Sequence, residues 1–423
     1  MIRTEVITIG SEILAGHQVD TNFQTITEVL GNEGLMISQH VTVPDEREAL
    51  GQALSAALAR SSLVIMTGGL GATPDDVTRR VMASVLGRKL IFRQALLDQL
   101  REKYSAIGKQ MSTACEAMAL VPAGAQPLHN SIGIAPGLFL REKACLLFVL
   151  PGVPAEMLAM LSEEVVPFLR REGLTGREKQ ETLRTIGLPE VTISEWIQPL
   201  LINGINCSFL PDAGRIDLRF WTRGGERIGG DLENVIEGAV NRLGPFCYAR
   251  GEISLEEVVV TRMSELGLSL GLAESITGGM IGSAITSVPG SSRMFLGSAA
   301  TYSNIAKQTL LGVSAATLES HGAVSGLTAK EMAIGARRIF DADVSISTTG
   351  IAGPGGGGND KPVGLVFLGL SNTKLCTSVK ALLSGDRRMI RRRSTTLALN
   401  MLRLMMMDRL DLIGGKSRHV SDH

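Results

Sequence analysis

With 423 residues, 44% of them hydrophobic, the chain is long enough for two or three domains with substantial cores. Lys plus Arg and Asp plus Glu balance at 42 each, so no overall basic field points to nucleic acid, and 48 glycines with only 4% aromatics suit α/β folds with tight loops. The five cysteines (Cys115, Cys145, Cys207, Cys247 and Cys376) are scattered without C-x-x-C spacing, which argues against a disulfide framework or a zinc site. No signal peptide or bilayer-spanning run is visible, so the expectation is a cytoplasmic protein without membrane contact.

Val6–Ile9 reads as a buried strand ending at Gly10-Ser11-Glu12-Ile13-Leu14. Asp20 or Thr21 then caps a helix with Phe23, Ile26, Val29 and Leu30 at a 3.6-residue period. A strand alternates through Ile37, Gln39, Val41 and Val43, Asp45 is expected to cap a helix carrying Leu50, Leu54, Ala57 and Leu58, and Leu63–Met66 is a third strand. This alternation predicts a doubly wound parallel sheet. The third strand feeds Thr67-Gly68-Gly69-Leu70-Gly71-Ala72-Thr73-Pro74-Asp75-Asp76-Val77-Thr78. Its glycines let backbone approach a ligand, and the following helix offers N–H groups to a phosphate. Asp75 and Asp76, at that helix start, either complement its dipole or hold a hard divalent cation. Asn130–Gly137 forms a second turn-rich loop, and the strand Cys145–Leu150 runs into Pro151-Gly152-Val153-Pro154, where Pro154 opens a helix with Glu156 in its first turn.

Four stretches, G-S-E-I-L-x-G…D-T-N, T-G-G-L-G-x-T-x-D-D, N-S-I-G-x-A-P-G and L-P-G-V-P-x-E-M, resemble in this order the molybdopterin-binding-like domain at the front of the competence/damage-inducible protein A (CinA) family. The resemblance implies a three-layer, doubly wound nucleotide-binding domain over residues 1–170. It places Asn22, Gly68, Gly69, Gly71, Thr73 and Asn130 at the nucleotide, and Asp75 and Asp76 at a divalent metal (Mg, Mn or Co). In some relatives this domain is a metal-dependent ADP-ribose pyrophosphatase, and pterin-nucleotide transfer is the other activity implied. Ala72 replaces an expected proline, and Ser11 replaces the carboxylate of G-D-E-I.

From Arg170 to Lys179 the sequence is charged and glycine-punctuated, as in a linker. Strand Leu183–Ile186, a helix around Ile193–Leu201, strand Ile216–Trp221, a Gly224-Gly225 turn and a helix over Asp231–Leu243 make a small α+β domain at residues 175–251. Relatives carry a KH-like fold here. No Gly-x-x-Gly loop joins its helices, so a spacer or dimerisation role is expected instead of RNA binding.

Ser254-Leu255-Glu256-Glu257 is a capping box that opens a helix with Leu255, Val258, Val259, Met263 and Leu266 inward. A strand at Leu268–Leu272 leads to Ala273-Glu274-Ser275-Ile276-Thr277-Gly278-Gly279 and a helix from Met280. Ser275 on such a turn is either a helix cap or a nucleophile. Tyr302 and Lys307 supply a phenol and an amine for the second role. Ser303 caps the helix that carries Lys307, Leu310 and Leu311, and Thr328 begins another with Met332, Gly335, Ala336 and Ile339 inward. Val344–Ser347 ends in the glycine-dense loop Thr349–Gly358, and Leu365–Leu370 is a further strand. Arg387 precedes a basic helix whose Arg388, Arg391, Arg392 and Arg393 read as a solvated face, while Met401–Met407 reads as core.

A-E-S-x-T-G-G, T-Y-S-N-x-x-K, H-G-A-V-S, G-I-A-G-P-x-G-G, K-P-V-G and S-G-D-R together resemble the nicotinamide-mononucleotide deamidase domain, placed at residues 252–415. The whole chain thus resembles a full-length member of the CinA family. The resemblance implies a pyridine-nucleotide amidohydrolase, with Ser275 as nucleophile, Lys307 as general base and Tyr302 as assisting phenol. Thr277, Gly278, Gly279, Gly353, Gly355, Gly356 and Arg387 would contact substrate, and no cofactor is needed for deamidation. A homodimer without direct nucleic-acid contact is expected. The alternatives are a dominant front-domain activity and a non-enzymatic role in DNA uptake or repair.

Overall fold

The computed structural model describes residues 2–175, 180–202, 204–222 and 229–413. The chain divides into two compact units, Met1–Gln180 with Trp221–Gly230, and Glu181–Phe220 with Asp231–His423.

In the first unit the strands are β1 Thr4–Ile9, β2 Ile37–Val43, β3 Leu63–Thr67, β4 Leu90–Phe92, β5 Leu120–Pro122, β6 Gln126–Leu128, β7 Gly137–Glu142 and β8 Cys145–Leu150. The main sheet has the order β2-β1-β3-β8-β7-β6. Its first four strands are parallel, whereas β7 and β6 add an antiparallel edge. Alternation sends successive side chains to opposite faces. Ile7, Val64, Met66 and Leu147 pack with Leu50 and Leu54 of the helix Arg47–Arg60. Val6, Ile65 and Phe148 pack with Ile26 and Leu30 of the helix Thr21–Asn32. The expected three-layer α/β architecture is therefore present. Asp20 caps the helix Thr21–Asn32, accepting from the Phe23 N–H at 2.8 Å. Asp45 does not act as the expected cap: its Oδ2 accepts from the Ser11 N–H and hydroxyl at 2.8 and 3.0 Å. A single π turn, Leu161–Val165, interrupts the last helix just before Pro167, which has no N–H to continue the regular ladder. The helix Val166–Arg171 takes up the start of the expected linker, while residues 176–179 and Gly224-Gly225 lie outside the described residues.

The small sheet comprises β9 Gln180–Ile186, β10 Ile205–Asp212, β11 Arg215–Thr222 and β12 Cys247–Arg250 in the order β10-β11-β9-β12. Periodicity did not foretell β10 or β12. The last sheet comprises β13 Leu270–Glu274, β14 Phe295–Ala300, β15 Val344–Gly350, β16 Leu365–Ser371 and β17 Cys376–Leu382, ordered β14-β13-β15-β16-β17. The first three are parallel and the last two antiparallel. On one face Leu272, Ile346, Leu368 and Leu370 meet Val259 and Met263 of the helix Leu255–Glu265 and Leu402 of the helix Arg387–Met406.

On the other face the helix Gly326–Phe340 presses its backbone onto the sheet. The Ser345 and Ser347 hydroxyls donate to the Ala333 and Ala329 carbonyls at 2.6 and 2.5 Å. A Cβ on Gly369 would stand 2.1 Å from the Ala329 carbonyl, so only glycine permits this approach. Ile339 and Leu266, expected to face inward, are exposed.

Candidate active site

The parallel order of β14, β13 and β15 brings three strand ends to one sheet edge. The Ser275 N–H donates to the Thr348 carbonyl at 3.0 Å, and the Thr301 N–H to the Glu274 carbonyl at 2.8 Å. Ser303 caps the helix Asn304–Leu311, accepting from the Ala306 N–H at 3.1 Å, which sets Lys307 one turn in. Lys307 is only 1% exposed. Its Nζ lies 3.1 Å from Ser275 Oγ and donates to the carbonyls of Thr301 and Tyr302 at 2.8 and 3.4 Å. Burial lowers the amine from 10.5 to about 8. A neutral amine has two N–H bonds and one lone pair. With the two carbonyls taking the N–H bonds, the lone pair is left for the Ser275 hydroxyl.

Glu274, the last residue of β13, is completely buried. Its carboxylate accepts from the N–H groups of Gly279 (2.9 Å), Ile281 (3.1 Å) and Gly282 (2.9 Å), and from the Ser298 hydroxyl (3.0 Å). These donors open the helix Met280–Thr286, whose cap Gly279 has φ +95°, a left-handed conformation that favours glycine. The helix N-terminus is thus already occupied by an anion. The N–H groups of Ile276, Thr277 and Gly278 find no acceptor among the described residues. The Thr277 hydroxyl is paired with that of Thr348 at 2.7 Å. Sequence reasoning passed over Glu274, although an acid at the buried end of an apolar strand was the available signal.

Tyr302 stands at the rim, 67% exposed. Its hydroxyl accepts from Arg387 Nη2 at 2.9 Å, and it is the Tyr302 carbonyl, not the phenol, that touches Lys307. Arg387 is the first residue of the helix Arg387–Met406, capped by Asp386, and also donates to the Gly353 carbonyl at 2.8 Å. It therefore bridges Tyr302 and the glycine loop, in which Gly353 is buried while Gly355 and Gly356 are exposed. Three of the neighbouring arginines are not the solvated face read from the sequence. Arg391 donates from Nε to the Ile276 carbonyl (3.1 Å) and from Nη2 to the Thr277 carbonyl (2.8 Å). Arg392 pairs with Asp212 at 2.8 Å, and Arg393 with the Ser384 carbonyl at 2.7 Å.

The front loop is arranged differently. Gly68 and Gly69 turn the chain with φ of +112° and +67°. Asp76 accepts from the Gly71 N–H (2.7 Å), the Thr73 N–H (2.7 Å) and the Thr73 hydroxyl (2.6 Å). The helix begins only at Thr78, and Asp75 is exposed. The Asp76 carboxylate is thus engaged by loop donors, and no group of three His, Cys, Asp or Glu side chains able to hold a metal occurs among the described residues. Asn22 turns inward, donating to Thr67 Oγ1 (3.0 Å) and the Gly152 carbonyl (2.8 Å). Asn130 holds its own loop through the Ile132 and Gly133 N–H groups and donates to Glu156 at 2.6 Å. Beside Gly71 and Thr73 lies a pocket of about 490 Å³, lined by Arg47, Arg79 and Arg80. Arg79 is buried, held by the Leu70 and Gly71 carbonyls at 2.6 and 2.5 Å, and burial lowers it to about 10.

Residues 252–406 match the family model of the CinA C-terminal domain, and residues 5–171 that of a probable molybdopterin binding domain. A putative competence-damage inducible protein of Caldanaerobacter subterraneus subsp. tengcongensis is 39% identical over 406 residues, covering 95% of this chain and 98% of its own. The chain belongs to the CinA family. A CinA-like protein of Chlorobaculum tepidum is 41% identical over 377 residues, 87% of this chain and 89% of its own. Among solved structures, a competence/damage-inducible protein from Agrobacterium tumefaciens is 39% identical, covering 36% of this chain and 93% of its own, with a TM-score of 0.35. The CinA C-terminal match takes in the whole arrangement from Glu274 to Arg391, and the molybdopterin-binding match takes in Gly68 to Asp76. No helix among the described residues is long and apolar enough to cross a membrane.

Proposed function

We propose that the second unit hydrolyses the carboxamide of nicotinamide mononucleotide, giving nicotinate mononucleotide and ammonia. The observation that carries this reading is the Lys307 amine, buried without a carboxylate partner among the described residues and 3.1 Å from Ser275 Oγ. Ser275 Oγ attacks the amide carbon while its proton passes to the neutral Lys307 amine. The developing oxyanion is received by the unpaired N–H groups of Thr277 and Gly278. Lys307 then protonates the leaving nitrogen, ammonia departs, and a nicotinoyl ester remains on Ser275. Water, deprotonated by Lys307, attacks the ester carbon; the ester C–O bond breaks, Lys307 returns the proton to Ser275 Oγ, and the carboxylate is released. The choice of nucleotide rests on the motif resemblance. Arg387, with Tyr302 and the loop Gly353–Gly356, supplies the cation and backbone for its phosphate, and Tyr302 acts by orienting Arg387.

The test is ammonia release from nicotinamide mononucleotide with and without EDTA. Turnover in both is expected, because the amine supplies the base. Absence of ammonia release in both overturns the reading.

A second reading is favoured by the front pocket, where Arg47 and Arg80 are exposed beside Gly71. That chemistry suits an anionic nucleotide such as ADP-ribose, bound without the aspartates as metal ligands. Calorimetric binding of ADP-ribose in EDTA tests it, and no heat of binding overturns it. We place the protein in the cytoplasm as a homodimer with small-molecule partners only; a monomeric mass by light scattering overturns the dimer.

A further inference from the structure

The Ser275 turn is gripped from two sides. Downstream, Glu274 takes the N–H groups of Gly279, Ile281 and Gly282. Upstream, the half-buried Arg391 holds the carbonyls of Ile276 and Thr277 at 3.1 and 2.8 Å. Those carbonyls belong to the two peptide units whose N–H groups are those of Thr277 and Gly278, the donors with no acceptor among the described residues. In a planar trans peptide the carbonyl and N–H point in opposite directions and share one conjugated system. A cation at the oxygen therefore fixes the direction of the N–H and polarises it into a stronger donor. Gly278, at φ +56°, lies so close that an added Cβ would stand 3.2 Å from Arg391 Nη2. Arg391 is four residues beyond Arg387, so one face of the same helix carries both groups.

We infer that Arg391 is a positioning residue for amide hydrolysis: its guanidinium aligns and polarises the Thr277 and Gly278 N–H groups that receive the oxyanion. This rests on the proposed Ser275 chemistry. Arg391 need not touch substrate, so its loss should lower kcat and leave KM nearly unchanged.

The experiment compares wild type with Arg391→Met, Arg391→Lys and the exposed control Arg388→Met. Turnover of nicotinamide mononucleotide is measured beside the rate at which a fluorophosphonate modifies Ser275, followed by intact mass. Phosphonylation also builds charge on an oxygen at the serine, so it reports on the donors whatever the natural substrate. Arg391→Met is expected to lose about 100-fold in kcat and in labelling rate with KM within about twofold. Arg391→Lys, able to reach one carbonyl, is expected to recover about a tenth of the wild-type rate, and Arg388→Met to match wild type. Wild-type labelling rates in both Arg391 variants overturn the inference. So does a loss confined to KM and Tm, which marks a purely structural role. Labelling of the wild type without ammonia release overturns the nucleotide reading, while the labelling ratios still decide Arg391. A wild type that does neither overturns both.

Discussion

Two glycine-rich turns follow parallel strands in this chain, one after β3 and one after β13, and their carboxylates are used differently. After β3, Asp76 reaches back to the Gly71 and Thr73 N–H groups of its own turn. After β13, Glu274 satisfies only the helix beyond the turn, and the Thr277 and Gly278 N–H groups stay open beside a buried amine. A carboxylate near a glycine turn is thus a clasp for the loop in the first case. In the second it is a clamp that leaves neighbouring donors available.

The sharpest way to break this contrast is to remove the groups at the open turn. Ser275→Ala and Lys307→Ala are each expected to lower ammonia release by about 10³-fold or more, and the double variant to be little worse, since residues acting as a unit are non-additive. A Lys307→Ala variant that keeps a tenth of wild-type turnover would falsify the assignment of the base. Next in size is Glu274→Ala, which leaves buried N–H groups without an acceptor. A loss of about 4 kcal/mol in urea unfolding of the second unit is expected, and a loss under about 1 kcal/mol would show that water replaces the carboxylate.

The pH profile follows from the amine. Its neutral form increases as pH rises through about 8, so kcat/KM should climb about tenfold between pH 7 and an alkaline plateau. A profile flat from pH 6 to 9 would remove Lys307 from the base role. At the front turn, Asp76→Asn should cost about 1 kcal/mol of front-unit stability without altering Mn²⁺ binding by calorimetry. Metal binding that disappears with Asp76 would restore the cation reading. The smallest effect is expected for Asp212→Ala, which removes the half-exposed pair with Arg392. Below about 1 kcal/mol is anticipated, and a change in ammonia release would instead link β10 to the site.

Much of this was legible in the residue order. Alternating apolar strands and capped helices announced the two larger sheets. Ser275 and Lys307 raised the expectation of a serine beside an amine, and the two side chains meet at 3.1 Å. What stayed hidden depends on partners distant in sequence. Arg391 looked like one more basic residue on a surface helix because its acceptors, Ile276 and Thr277, lie more than a hundred positions earlier. Asn22 and Asn130 have the composition of ligand-binding side chains, yet they hold the strand ends and loop in place. The antiparallel edge β7–β6 was not read as strand, and β6, three residues long and mostly exposed, carries no apolar period to mark it.

The burial of Lys307 also sets a balance between durability and reactivity. Its drop from 10.5 to about 8 means that the unfolded chain keeps a proton which the folded chain gives up. Between those two values stability should rise with pH, and below 8 the buried amine opposes folding by about 3 kcal/mol, taking about 1.4 kcal/mol per pH unit. An apolar side chain of similar length at this position, as in Lys307→Met, would relieve that opposition and abolish the chemistry together. At neutral pH the burial of this amine thus opposes folding at the group that the proposed reaction requires.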